Sequence, residues 1–263
     1  MPLFPFCGYT LRYTPQTPKW TRTNYVHMQA VVPAAGEGTR LRPLTDDKPK
    51  GLVEVADRPL LAHGFDRLIE LNVDRIVVVI GYRVQQIRDH FGPSYRGTPL
   101  RYVTQENRLG LAHAILQAEP HINDEFLVYN GDNVIQGTLQ PVVDAYGRSD
   151  ADAVLLVEDA TRETASETGV VTTDDRGTVT GLVEKPDDPP STLVTTGVYL
   201  LPRSIFEDCR AIAPSDREEY ELVDAIDRLR RRGGTIQTVT LDGWRCNVNT
   251  PNDVEEATRK LGE

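Results

Sequence analysis

The sequence predicts an α/β fold, a mostly parallel sheet flanked by helices. Short β-branched runs alternate with longer helical patterns, and each gap between runs is long enough for a crossover helix. A glycine-rich turn also follows directly on the first of those runs. Taken in order, strand-like runs stand at Gln29–Val32, Arg75–Ile80, Leu100–Thr104, Glu125–Tyr129 and Ala153–Val157. Between them, apolar residues recur at helical spacing over Leu60–Leu71, Val84–Phe91, Leu111–Glu119 and Leu139–Tyr146. The stretch Thr168–Leu201 reads as short strands cut by turns such as Asp174-Asp175-Arg176-Gly177, and helices follow over Glu219–Arg232 and Pro251–Leu261.

No linker or repeat interrupts residues 28–263, which predicts one domain. Residues 1–27 differ: four prolines, many threonines and no periodic pattern. They are expected to be a flexible or non-native extension ahead of Met28, and they lack the continuous apolar core of a signal peptide.

The formal net charge is −10 and the pI about 5.1, which argues against a nucleic-acid-binding surface. No apolar run is long enough to span a bilayer. Only five lysines occur, at 19, 48, 50, 185 and 260. An acid-rich, lysine-poor surface resembles those of proteins from salt-loving microbes; an acidic protein from a GC-rich genome fits as well. Three scattered cysteines, Cys7, Cys209 and Cys246, argue against a disulfide framework or zinc site and for the cytoplasm.

After the first strand comes Ala34-Ala35-Gly36-Glu37-Gly38-Thr39-Arg40-Leu41-Arg42-Pro43-Leu44-Thr45. Glycines at 36 and 38 let backbone N–H groups face an anion. Arg40 adds a fork of donors suited to phosphate, and Lys48 and Lys50 follow in a loop stiffened by Pro43 and Pro49. The pattern is neither the dinucleotide GxGxxG nor the P-loop GxxxxGK[ST]. No acidic ribose-binding residue falls at the dinucleotide spacing either, so an NAD-dependent enzyme is excluded.

As a unit, Gly36-Glu37-Gly38-Thr39-Arg40-Leu41 with Lys50 resembles the signature of the sugar-1-phosphate nucleotidyltransferases, over about residues 28–261. Asp46-Asp47-Lys48-Pro49-Lys50-Gly51 and Gly110-Leu111-Ala112-His113-Ala114 look like the archaeal glucose-1-phosphate uridylyltransferases and thymidylyltransferases. The resemblance implies a Rossmann-like nucleotide-diphospho-sugar transferase fold with a small β-rich sugar-binding part. It also implies transfer of a nucleotidyl group from UTP or dTTP to a sugar 1-phosphate, with pyrophosphate released and Mg²⁺ as cofactor. Neither nucleic acid nor membrane is expected as a partner, and a homo-oligomer is left open.

Carried over residue by residue, the resemblance makes Arg40, Lys50 and Asp132 catalytic, and Ala35, Gly36, Gly38, Thr39, Gln105 and Gly110 nucleotide-binding. It gives Gly169, Glu184, Lys185, Thr196 and Arg217 to the sugar phosphate. Asp132, at the carboxyl edge of a predicted strand, suits magnesium, and the resemblance makes it the metal ligand. The second metal position carries Asn247 where relatives have aspartate, an uncharged ligand that should weaken binding. Pro33 replaces an aliphatic residue at the end of the first strand, where some disturbance of the loop is expected. These two departures motivate the alternative, a catalytically weak or regulatory sugar-nucleotide-binding homologue. The chain stops soon after its last helix, so no left-handed β-helix or acetyltransferase activity is expected.

Overall fold

The computed structural model describes residues 28–263 except Tyr82, so the extension read at residues 1–27 lies outside the described residues. The chain opens with β1 (Gln29–Ala34), the small pair β2 (Glu54–Val55) and β3 (Arg58–Pro59), and α1 (Leu60–Glu70). Next come β4 (Arg75–Ile80), α2 (Val84–Phe91), β5 (Ser94–Tyr95), β6 (Thr98–Thr104), α3 (Leu111–Ala118) and β7 (Phe126–Tyr129). The middle holds β8 (Asn133–Gln136), α4 (Gln140–Arg148), β9 (Ala153–Asp159), α5 (Arg162–Ser166), β10 (Gly169–Thr173), β11 (Val179–Glu184) and β12 (Leu193–Leu201). The chain ends with α6 (Ile205–Ala211), α7 (Leu222–Arg231), β13 (Ile236–Thr240), β14 (Trp244–Asn247) and α8 (Pro251–Leu261).

The central sheet runs β11-β10-β12-β7-β1-β4-β6-β5, with β9 and β13 paired alongside β12. One half, β7-β1-β4-β6, is wholly parallel. β1 therefore has a crossover neighbour on each side, and a crevice opens beyond its carboxyl end. The other half turns antiparallel at the long strand β12, which pairs with β7, β9 and β10.

Alternation along the parallel strands fills both faces. Val32, Ile76, Val78, Ile80, Leu127 and Tyr129 pack with α1, α2 and α4 on one side. Val31, Val77, Val79, Phe126 and Val128 pack with α3, α6 and α7 on the other. A third cluster joins Leu41, Val53, Leu60, Val134, Cys246, Val248 and Ala257, tying the glycine-rich loop to β8, β14 and α8.

Pro33 leaves the register of the strand itself intact. β1 holds register with β4 through Pro33↔Val79 and Ala34↔Ile80. On the other side β7 leaves the ladder at Val31↔Val128, and the Pro33 carbonyl accepts the Gly131 N–H at 3.0 Å. The proline thus sits where β1 has no further strand partner on that side to miss its N–H. Among the described residues no helix is long and apolar enough to cross a membrane.

Candidate active site

The parallel strands end level with one another: Ile80 pairs with both Ala34 and Thr104, and Gln105 N–H donates to the Ile80 carbonyl at 2.8 Å. The loops leaving these ends make the site. Ala35 is buried, and a side chain on Gly81 would meet its carbonyl at 3.0 Å, so the turn after β4 leaves little room for one. A side chain at Gly36 would meet nothing within 4 Å, so this part of the loop faces open space. Gly38 takes φ +70°, and a Cβ there would press on Lys50 Cβ at 3.0 Å. A short 3₁₀ turn, Thr39–Leu41, follows; Leu41 is buried as its anchor while Thr39 and Arg40 are exposed. Arg40 makes no ion pair among the described residues. Thr45 Oγ1 donates to the Gly38 carbonyl at 2.8 Å and closes the loop.

Lys50 threads beneath this loop, its side chain only 12% exposed. Its ammonium donates to Asp132 Oδ2 at 3.0 Å and to Asn249 Oδ1 at 2.8 Å. Asp132 is delivered by Gly131, where a side chain would collide with Leu61 and the Pro33 carbonyl, both at 2.8 Å. Asn249 is set by the start of α8, where Thr250 and Asp253 cap each other and Asp253 also accepts the Asn249 N–H at 2.8 Å.

Asn249 was missed by sequence reasoning, although the Thr250-Pro251-Asn252-Asp253 capping pattern just after it was a legible signal. The expected second metal residue, Asn247, is exposed at the end of β14 opposite Asn133. No hydrogen bond of its amide to Asp132 is found among the described residues; Asn249 is the amide that shares a partner with Asp132.

Gln105 is buried, and its Nε2 donates to the Gly110 carbonyl at 3.2 Å and lies 2.9 Å from His113 Nδ1. His113, also missed, therefore helps fix which end of that amide faces outward. Gly110, at φ +99°, has a structural reason of its own: a Cβ would stand 2.6 Å from both the N and O of Tyr220. The contact joins the loop before α3 to the segment before α7, since Tyr220 N–H donates to the Leu109 carbonyl and Ala112 N–H to the Tyr220 carbonyl.

Beyond that wall the Glu184, Glu221 and Asp224 carboxylates lie close together. Gly169 pairs with Glu184, and a side chain at Gly169 would meet Val223 at 2.7 Å and Glu184 Oε2 at 3.0 Å. Burial, then the neighbouring Glu221 carboxylate, push the Glu184 carboxyl up to about 7, against the pull of Lys185 and Arg217. Lys185 is half-exposed at φ +46°, and Arg217 donates to Glu221 at 2.9 Å. Thr196 departs from its expected role: it is fully buried and its hydroxyl donates to the Leu156 carbonyl at 2.9 Å, inside the protein. Its own backbone carbonyl accepts from Asn133 Nδ2 at 2.8 Å, so it braces the strand after Asp132.

The structure thus gathers Gly36, Gly38, Arg40, Lys50 and Asp132 at one end of the crevice and Gln105 with Gly110 at its side. Gly169, Glu184, Lys185 and Arg217 lie on the antiparallel half. Residues 29–263 match the profile of the family described as nucleotidyl transferase. The chain belongs to the nucleotidyl transferase family.

Within this family it is similar to the UTP–glucose-1-phosphate uridylyltransferase AglF of Haloferax volcanii. The two are 48% identical over 236 residues, covering 90% of this chain and 97% of that one. It is 36% identical to a glucose-1-phosphate thymidylyltransferase of Streptomyces antibioticus, covering 90% of this chain and 67% of that one. A solved UDP-glucose pyrophosphorylase complexed with UDP-glucose superposes with a TM-score of 0.82 at 26% identity, over 90% of this chain and 98% of that one.

Proposed function

We propose that this nucleotidyl transferase moves a uridylyl group from UTP to glucose 1-phosphate, with dTTP as the next substrate, giving a nucleoside-diphosphate sugar and pyrophosphate. The observation that carries the reading is the convergence of Lys50 on Asp132 directly beneath the glycine-rich loop. The similarity to AglF and to the thymidylyltransferase supports the choice of substrates.

A phosphate oxygen of glucose 1-phosphate would attack the α-phosphorus of the nucleotide. The bond from that phosphorus to the β-phosphate bridging oxygen breaks, and pyrophosphate leaves. The nucleophile is already an anion, so no general base is required, and the task is to hold two polyanions in line. Backbone N–H groups around Gly36 and Gly38, with Arg40, would take the triphosphate, flanked by Ala35 and Thr39. Lys50 would neutralise charge as it builds at the reacting phosphate. Lys185 and Arg217 would hold the sugar phosphate, and Glu184 would accept from sugar hydroxyls.

The residues fit a magnesium ion. Asp132 Oδ2 and Asn249 Oδ1 already converge on one ammonium, and hard oxygen donors are what this ion takes. Asp132 and Asn249, with Asn247 nearby on β14, would hold it, and it would reduce repulsion between the two substrates. On the base side, anchoring Gln105 Nε2 on Gly110 leaves the amide oxygen as an acceptor. Uracil and thymine offer a ring N–H to such an acceptor; cytosine does not. Cys209 and Cys246 are both free and buried, in keeping with a cytoplasmic enzyme.

A nucleotide-by-sugar matrix of pyrophosphate release tests the specificity. UTP and dTTP with glucose 1-phosphate are expected to lead, and binding without turnover across the matrix would overturn the catalytic reading.

A further inference from the structure

The glycine-rich loop carries a carboxylate at its centre, Glu37, among the backbone donors proposed to face a triphosphate. Glu37 lies between Gly36 and Gly38, and a bare negative charge there would repel a triphosphate. It is not bare: Glu37 Oε2 accepts from Arg108 Nη1 at 2.6 Å, across 71 residues of sequence. That hydrogen bond, with Arg42 further off, holds the Glu37 carboxyl below the usual range. Arg108 belongs to the opposite wall of the crevice, the loop from Gln105 to Gly110. Both ends of that loop are pinned, by Gln105 N–H on Ile80 and by Tyr220 N–H on Leu109. Its guanidinium is therefore delivered to the glycine-rich loop by fixed backbone, beside the open space over Gly36.

We propose that Arg108 binds the β- and γ-phosphates of the incoming nucleotide and that Glu37 is the counterion that occupies its guanidinium until the nucleotide displaces it. The proposal rests on the nucleotidyltransferase reading above. The side chains of Arg108 and Glu37 are 49% and 29% exposed. Ion pairs this open to water are weak, so the guanidinium is free to exchange one carboxylate for two phosphate oxygens, which its fork fits in parallel.

The exchange differs from a structural strut in the sign of its mutational effects. Affinities for UTP and UMP, each with magnesium, are measured by equilibrium dialysis for the wild type, R108Q and E37Q. Loss of Arg108 is expected to weaken UTP roughly tenfold while UMP stays within about twofold, the size of one charge-assisted hydrogen bond lost. Loss of Glu37 is expected to tighten UTP by about threefold and leave UMP unchanged. A strut would weaken both nucleotides in both variants and lower both melting temperatures alike, and that result overturns the proposal. Turnover of UTP with glucose 1-phosphate is followed in parallel. Wild-type turnover without the expected binding pattern sinks this proposal alone. The binding pattern without turnover sinks the catalytic reading alone. No saturable UTP binding sinks both.

Discussion

Lys50 and Asp132, 82 residues apart in sequence, meet at 3.0 Å under the glycine-rich loop, with the Asn249 amide oxygen accepting a second hydrogen bond from the ammonium at 2.8 Å. Lysine is the only cation in this trio, and the loop above it supplies the backbone donors. Lys50→Met keeps the stem under Gly38 but removes the charge. Its kcat is expected to fall at least about 100-fold, the cost of losing one preorganised donor to a transition-state oxyanion. Steady-state kinetics together with unchanged circular dichroism would check this.

The same geometry moves the magnesium question from Asn247 to Asn249. Asn249→Asp adds a second carboxylate beside Asp132, so the magnesium concentration for half-maximal rate should fall. Asn249→Ala should raise it. The matched changes at Asn247 are expected to have smaller effects, because its exposed amide shares no partner with Asp132. Magnesium titrations of the four variants separate the two positions.

Glu184 gives the enzyme a pH signature. Its carboxyl titrates near 7 in the folded protein against a reference of 4.5, because burial and Glu221 disfavour the charge. A raised carboxyl pKa means the folded state binds the extra proton between those values. Stability from this group is therefore full below about pH 4.5 and is lost as pH rises through about 7, at most about 3 kcal/mol in all. Glu184→Gln removes the charge, so its melting temperature should gain on the wild type as pH rises from about 5 to about 8. A pH-independent difference between the two would contradict the assignment.

Gly110→Ala tests whether the contact with Tyr220 is structural. The new Cβ would stand 2.6 Å from two backbone atoms at a φ of +99°, so neither strain nor clash is relieved by side-chain motion. A loss of about 2 kcal/mol or more in urea denaturation is expected. Nucleotide affinity should fall with it, because α3 begins at this glycine.

Much of this was legible in the chain. The parallel strands β1, β4, β6 and β7 announce themselves as β-branched runs, and α2 and α8 match their predicted bounds, because strong periodicity leaves one answer. The strands β8, β13 and β14 are short and part-polar, and they form only because distant segments meet, so local pattern could not show them. In the site, the glycines, Arg40 and Lys50 sit in one contiguous motif and were readable together. Asn249 and Arg108 matter through partners 199 and 71 residues away, a relation that no local spacing encodes. Thr196 misled because a motif match cannot say which way a hydroxyl points; here it faces Leu156. Pro33 looked disruptive, yet it keeps register with Val79 on one side while β7 has already left the ladder on the other.

Nucleotidyl transfer at the Lys50–Asp132 site has a direct chemical readout. Phosphorus NMR of the wild type with UTP, glucose 1-phosphate and magnesium tests it most directly. UDP-glucose and pyrophosphate are expected to appear in equal amounts, and to disappear with Asp132→Ala or a chelator. Orthophosphate in place of pyrophosphate, or an undiminished rate in Asp132→Ala, would contradict it.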